Sequence, residues 1–451
     1  MLMVSSIFTV AVSVSAKETV VKSGKFQSCK NINWTLYDNG VLKIDGKGNF
    51  NGFANDDLDS IANKVEKVEI SGKISSFSPE GLFFNLGNVK EVVVGNGVKE
   101  IGYDSFGSCK AKTIKLSNSI TKIKQFAFSY CKNLTSLTIP SSVTDIADSA
   151  FYNCSKLQSV NLSNSIKSIN GSTFENCTSL KSVVIPNSVT NVGRDAFRGC
   201  KSLTKVVVGK NVSKIVGNPF YNCSKLNNFS VKSGSKKFAV SNGILFSKDK
   251  KKLVVYPAGK KNSSYTVPKT VTEIGESAFA TNRSIAKVKI PTSVAKIGVK
   301  ALNYTKLYYA KNNWKNNILY VSDCVVASKS VAKVNVKSGT RLIADRAFYN
   351  NKTVKNVTLP KSLKYIGTKA FYGCEKIKTI NLPKSLKKIG SKAVGYYKSG
   401  IGYEDQYGNY VSVDTDTLYE MISDDLVVTV YKNSVGHKYA KSNILNYTVK
   451  K

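Results

Sequence analysis

The chain has 451 residues, with 67 Lys and Arg against 29 Asp and Glu for a net charge of +38, nine cysteines and one histidine. A single histidine, His437, leaves almost no material for a Ser-His-Asp or Cys-His centre, and no Gly-rich phosphate loop is present. Beyond residue 16 no run reaches the roughly 20 apolar residues that a membrane span requires.

Residues 1–16 read as a secretory signal peptide. Leu2 to Ala16 is apolar and small, Val14-Ser15-Ala16 offers a cleavage site before Lys17, and the charged start of such a peptide is missing. Residues 17–80 show strand, turn, strand around Asn39-Gly40, a strong hairpin signal. They are expected to form an amino-terminal β-hairpin cap.

From residue 81 to 395 the chain repeats. Phe83, Phe106, Phe128, Phe151, Phe174, Phe197 and Phe220 recur at a period of 23 residues with one unit of 22, and Phe279, Leu302, Phe348, Phe371 and Val394 resume the phase. A fixed period of this size means a solenoid, each unit burying its apolar side only against its neighbours. Within a unit, Ala150, Cys154 and Leu157 suit a short helical turn, whereas Val160 and Leu162 alternate with Ser159 and Asn161 as a half-buried strand does. Pro140, Pro186, Pro291, Pro360 and Pro383 mark where strands end. Counting the units predicts about fourteen coils. The step from Phe220 to Phe279 holds an enlarged unit near residues 231–265, with the Asn242-Gly243 turn and the Lys248 to Lys252 charge run. The step from Leu302 to Phe348 hides a unit around Cys324 that has diverged without changing length.

Residues 396–451 lose the period and turn acidic, and Ser434 to Asn443 reads as a short amphipathic helix with Val435, Tyr439 and Ala440 on one side. They are expected to form a mixed carboxy-terminal cap. Asp414-Thr415-Asp416 lacks the further ligands of a calcium loop, and no metal or other cofactor is expected.

The pattern A-F-x-x-C-x-x-L-x-x-V-x-I-P-x-S-V-x-x-I-G closely resembles the BspA-like leucine-rich repeat, a family of secreted and surface-displayed proteins found mainly in host-associated bacteria and some protists. The resemblance implies a right-handed leucine-rich-repeat solenoid, mainly β with short helical turns. It also implies a role in adhesion or protein binding at the cell surface or after secretion, with no catalytic residues to carry over.

Cys109, Cys131, Cys154, Cys177, Cys200, Cys223 and Cys374 occupy one phase of the repeat, and Leu86 stands in the same phase. The position therefore takes a compact apolar group, and a ladder of buried free thiols is expected instead of disulfides. Cys29 and Cys324 lie outside the phase.

The outward strand positions gather Lys90, Lys112, Lys115, Lys181, Lys205, Lys287, Lys289, Lys355 and Lys378, with Glu91 the one acid aligned among them. One face is thus expected to carry a continuous cationic strip, which favours acidic partners and raises encounter rates at low salt. The strand face has few aromatic residues for base stacking and uses lysine where arginine would read bases, which disfavours specific nucleic-acid binding. The expected partner is an extracellular or host protein, bound through the strand face by a non-enzymatic protein. The alternative is a structural envelope protein held electrostatically to anionic wall polymer or acidic glycan.

Overall fold

The computed structural model describes residues 18–53, 58–84, 86–399, 402–404, 410–412 and 419–450. The signal-peptide segment and Asp414-Thr415-Asp416 lie outside the described residues.

Two parallel strand ladders run along a β-solenoid. The first takes the alternating part of each unit: Lys67–Ile70, Glu91–Val94 and Thr113–Leu116 pair in register, with Lys67, Glu91 and Thr113 side by side. Ser136–Thr138 pairs likewise with Ser159–Asn161, and Ser182–Val184 with Lys205–Val208. Inward Val68, Val92, Ile114, Leu137, Val183 and Val206 are buried, while the flanking Ser, Thr and Lys positions face out, as a half-covered strand requires. Where a proline follows the strand it closes the turn, with Val143, Val189 and Val294 amides donating to Pro140, Pro186 and Pro291 carbonyls; Gly209 and Ser117 carbonyls take that place in other coils.

The second ladder consists of two-residue strands such as Lys122–Ile123, Asp145–Ile146, Ser168–Ile169 and Asn191–Val192, again parallel from coil to coil. Between the ladders, the Phe-x-x-Cys segment does not form the short helical turn expected from its spacing. Left-handed residues sit on both sides of the phenylalanine, Ser149 (φ 57°) and Asn153 (φ 59°) around Phe151, Ser172 (φ 51°) and Asn176 (φ 59°) around Phe174. An α-helix cannot pass through such residues, so the segment is a chain of tight turns. Asparagine tolerates that conformation best among residues with a side chain, which explains its recurrence before the cysteine.

The phenylalanines form a spine. Rings of Phe106, Phe128, Phe151 and Phe174 stack with centroids 5.0–5.1 Å apart and planes within 5°, and Phe348 and Phe371 repeat this at 4.8 Å. Beside the spine runs the cysteine column, all of it free and buried. Burial pushes the Cys109 thiol up to about 12 and those of Cys131, Cys177 and Cys200 well above the ordinary range.

Two units depart from this plan. In the first, Asn242 (φ 49°) and Gly243 (φ 73°) turn Phe238–Ser241 back onto Ile244–Ser247 as an antiparallel hairpin, the geometry that an Asn-Gly pair favours. Lys252–Val255 then rejoins the second ladder. In the second, the helix Lys306–Tyr309, capped by the Thr305 hydroxyl, leads into the antiparallel strands Ile318–Val321 and Cys324–Ser328. The stretch around Cys324 is therefore a hairpin unit, not a diverged coil of ordinary shape. Buried Arg341 braces it: its Nε lies 2.7 Å from Asp323, one Nη donates to the Pro291 carbonyl at 2.9 Å and the other to the Val294 carbonyl.

At the amino end Val20–Phe26, Cys29–Tyr37 and Val41–Phe53 pair antiparallel, and the third strand already pairs parallel with Lys67–Ile70. At the carboxy end Val427–Tyr431 and Asn446–Lys450 extend the first ladder. Between them the helix Val435–Ser442, capped by Ser434, buries Gly436, Tyr439 and Ala440. The solenoid therefore has about sixteen turns, against the about fourteen expected, because the ladder continues into both end segments without the Phe-Cys motif.

Candidate binding surfaces

The nine lysines lie along the first ladder in three columns. Lys90, Lys112, Lys181, Lys355 and Lys378 precede a strand by one residue, Lys205 and Lys287 open a strand, and Lys115 and Lys289 hold its third position. All nine are exposed. Three are already engaged with carboxylates: Lys90 with Glu66 at 2.7 Å, Lys115 with Glu91 at 2.6 Å and Lys378 with Asp425 at 4.0 Å. The Lys115 ammonium holds the Glu91 carboxyl below its ordinary range. Among the described residues no carboxylate lies within ion-pair distance of Lys181, Lys205, Lys287, Lys289 or Lys355.

The expected continuous strip is broken. Between Lys115 and Lys181 the outward strand positions are Ser136, Thr138, Ser159 and Asn161, so the face is a hydroxyl and amide surface with cationic patches, strongest where Lys287 and Lys289 flank Val288.

A second feature lies on the edge formed by the turns. Arg198 packs over the Tyr221 ring at 5.6 Å, Tyr221 meets Tyr304 at 6.5 Å, and Tyr304 touches Tyr308 and Tyr309 at 5.8 and 6.5 Å. Arg283 covers Tyr309 at 4.8 Å, and Trp314 lies edge-on to Tyr308 at 5.3 Å. Tyr309 is 53% and Tyr304 38% exposed. Burial raises the Tyr221 and Tyr308 phenols, which stay protonated donors at neutral pH.

A profile of the BspA type leucine rich repeat region matches in six copies, over residues 9–125, 59–179, 144–243, 258–352 and 319–399. The chain belongs to this family. Among solved structures, a leucine rich cell surface protein from Faecalibacterium prausnitzii is 20% identical, with 95% of this chain and 94% of that one covered and a TM-score of 0.48. The pneumococcal vaccine antigen PcpA is 21% identical, covering 95% and 100%, at a TM-score of 0.45. A leucine-rich repeat protein from Eubacterium ventriosum is 20% identical, covering 86% and 100%, at 0.37. No curated protein matches the chain.

In this BspA-type chain three grooves follow the second ladder, one lined by Ser76, Glu100, Tyr103 and Gln125 and two by Glu273, Lys296 and Asp345. Neither these grooves nor the aromatic edge emerges from the repeat alone. The signal for the edge is the residue after each repeat phenylalanine, where Tyr152, Arg198, Tyr221, Tyr349 and Tyr372 stand. His437 is structural: its Nδ1 accepts from the Asn433 amide at 3.1 Å and its ring packs 5.3 Å from Tyr447. Among the described residues no group of three or more His, Cys, Asp or Glu could hold a metal, and no helix is long and apolar enough to cross a membrane.

Proposed function

We propose that this protein is a secreted or surface-displayed, non-enzymatic binding protein that engages an extracellular or host protein in adhesion. A role in protein binding or adhesion in general accords with its family. The observation that carries the reading is the exposed cluster of Arg198, Tyr221, Tyr304, Tyr309 and Arg283, because tyrosine, tryptophan and arginine supply most binding hot spots. The unpaired lysines Lys181, Lys205, Lys287 and Lys289, with Lys112 and Lys355, add long-range attraction for an acidic partner surface.

The second reading, an envelope protein held by charge to anionic polymer, rests on the same lysines and the net charge of +38. Immobilised protein from Lys17 onward, offered a panel of purified extracellular matrix proteins at about 0.1 and 0.5 M NaCl, separates the two, since salt at the higher level shortens the Debye length to a few ångströms. A matrix protein retained at high salt, and captured more slowly by the Lys181→Glu, Lys205→Glu, Lys287→Glu, Lys289→Glu variant, supports specific binding. Complete loss at high salt with retention on purified wall polymer at low salt supports charge-held anchoring.

A further inference from the structure

Near the amino-terminal end, the second ladder borders an open groove of about 850 Å³ lined by Asn49, Asn51, Ser76, Glu100, Tyr103 and Gln125. That volume lies within the range of small-ligand sites, about 300–1,000 Å³. Its chemistry is unlike the rest of this basic chain. Glu100 and Lys124, the charged groups in its wall, sit 3.5 Å apart and neutralise each other. What remains is amide, hydroxyl and one aromatic ring.

That ring is Tyr103, 51% exposed, with Phe126 set edge-on against it at 5.8 Å and 87°. Phe126 holds a left-handed backbone (φ 58°) at a phase where neighbouring coils place Ser149, Ser172 and Asp195. A bulky aromatic is an unfavourable choice for such a backbone, and its visible return is to brace the Tyr103 ring. Around the ring, among the described residues, no hydrogen bond engages the side-chain amides of Asn51 and Gln125 or the hydroxyl of Ser76, so their donors and acceptors are open to a ligand. Asn49 is instead fixed by the Ser75 hydroxyl, which donates to its Oδ1 at 2.8 Å. Gly102 keeps the floor low, since a Cβ there would collide with Ser78.

We propose that this groove binds a neutral oligosaccharide. The C–H face of a pyranose stacks on the Tyr103 ring, and its hydroxyls exchange hydrogen bonds with Asn51, Ser76 and Gln125, each of which can donate and accept. An acidic polymer finds no unpaired cation here, and a peptide finds no apolar pocket for a side chain. The site is separate from the aromatic edge and the lysine face, so strand-face variants leave it intact.

The test is calorimetric titration of the protein from Lys17 onward with chitotetraose, cellotetraose, mannotetraose and galactotetraose, at about 0.05 and 0.5 M NaCl. At least one binds saturably with the same affinity at both salts. Tyr103→Ala and Gln125→Ala weaken it at least about tenfold, Tyr103→Trp retains it, and Lys287→Glu has no effect. Both variants replace exposed side chains, and circular dichroism confirms their fold. The proposal is overturned if none of the four sugars binds, if binding survives Tyr103→Ala in a folded variant, or if it disappears at the higher salt.

Discussion

The thiol of Cys154 donates a 3.0 Å hydrogen bond to the carbonyl oxygen of Phe128, one coil earlier. Cys131, Cys177, Cys200, Cys223 and Cys374 make the same bond to Phe106, Phe151, Phe174, Phe197 and Phe348. A small apolar group is required to fit beside the phenylalanine spine, and a weak donor adds a second hydrogen bond to a carbonyl that already accepts the amide three residues on in its own turn. Cysteine meets both demands.

Thiol labelling of the native protein follows from this column. Half-buried Cys29 reacts, while the eight buried cysteines stay protected until denaturant is added, because none of them is exposed to the reagent. Rapid native-state labelling of most of the eight, or disulfides between successive coils, would contradict the ladder.

Arg341 joins two coils that the hairpin around Cys324 separates. Arg341→Ala removes the guanidinium donor from the Val294 carbonyl, one of two donors from the Pro291 carbonyl and the cation beside Asp323, and lowers stability by about 2–4 kcal/mol in urea unfolding. Arg341→Lys recovers only part of this, since one ammonium cannot serve three diverging acceptors.

Asp345 gives a pH signature. Burial raises its carboxyl above the ordinary 3.8, outweighing the Thr368 amide and Lys296 that favour the charged form. The folded chain therefore binds this proton more tightly than the unfolded one, so the penalty is absent below the ordinary value and complete above the folded one. Asp345→Asn keeps an acceptor for the Thr368 amide. It is expected to be more stable than the parent at pH 7, with the difference vanishing below about pH 3.8 in denaturation measured across pH.

The legible part of the fold was its inward face. Phe151, Cys154, Val160 and Ile166 recur because each contacts its own equivalent one coil away, so identical neighbours select identical residues. The second ladder was harder to read, since a strand as short as Asp145–Ile146 has no room for alternation. The end coils were hidden for the opposite reason: Leu42 and Ile44, or Val428 and Val430, keep the strand alternation but no phenylalanine or cysteine marks the unit. Lysine positions were readable as outward, but not their columns, which depend on register. The aromatic edge draws Arg198 and Tyr221 together with Tyr304 and Tyr309 across the inserted unit, a proximity that no period contains.

On the proposed function, specific recognition rests on the aromatic-arginine edge, with the strand-face lysines supplying attraction. Its most direct test is the dissociation rate of a captured matrix protein at about 0.5 M NaCl, compared between the parent and an Arg283→Ala, Tyr309→Ala variant. Dissociation at least about tenfold faster from the variant, with the association rate little changed, is the predicted result. Equal dissociation rates would contradict the claim and leave the edge as surface without a role in binding.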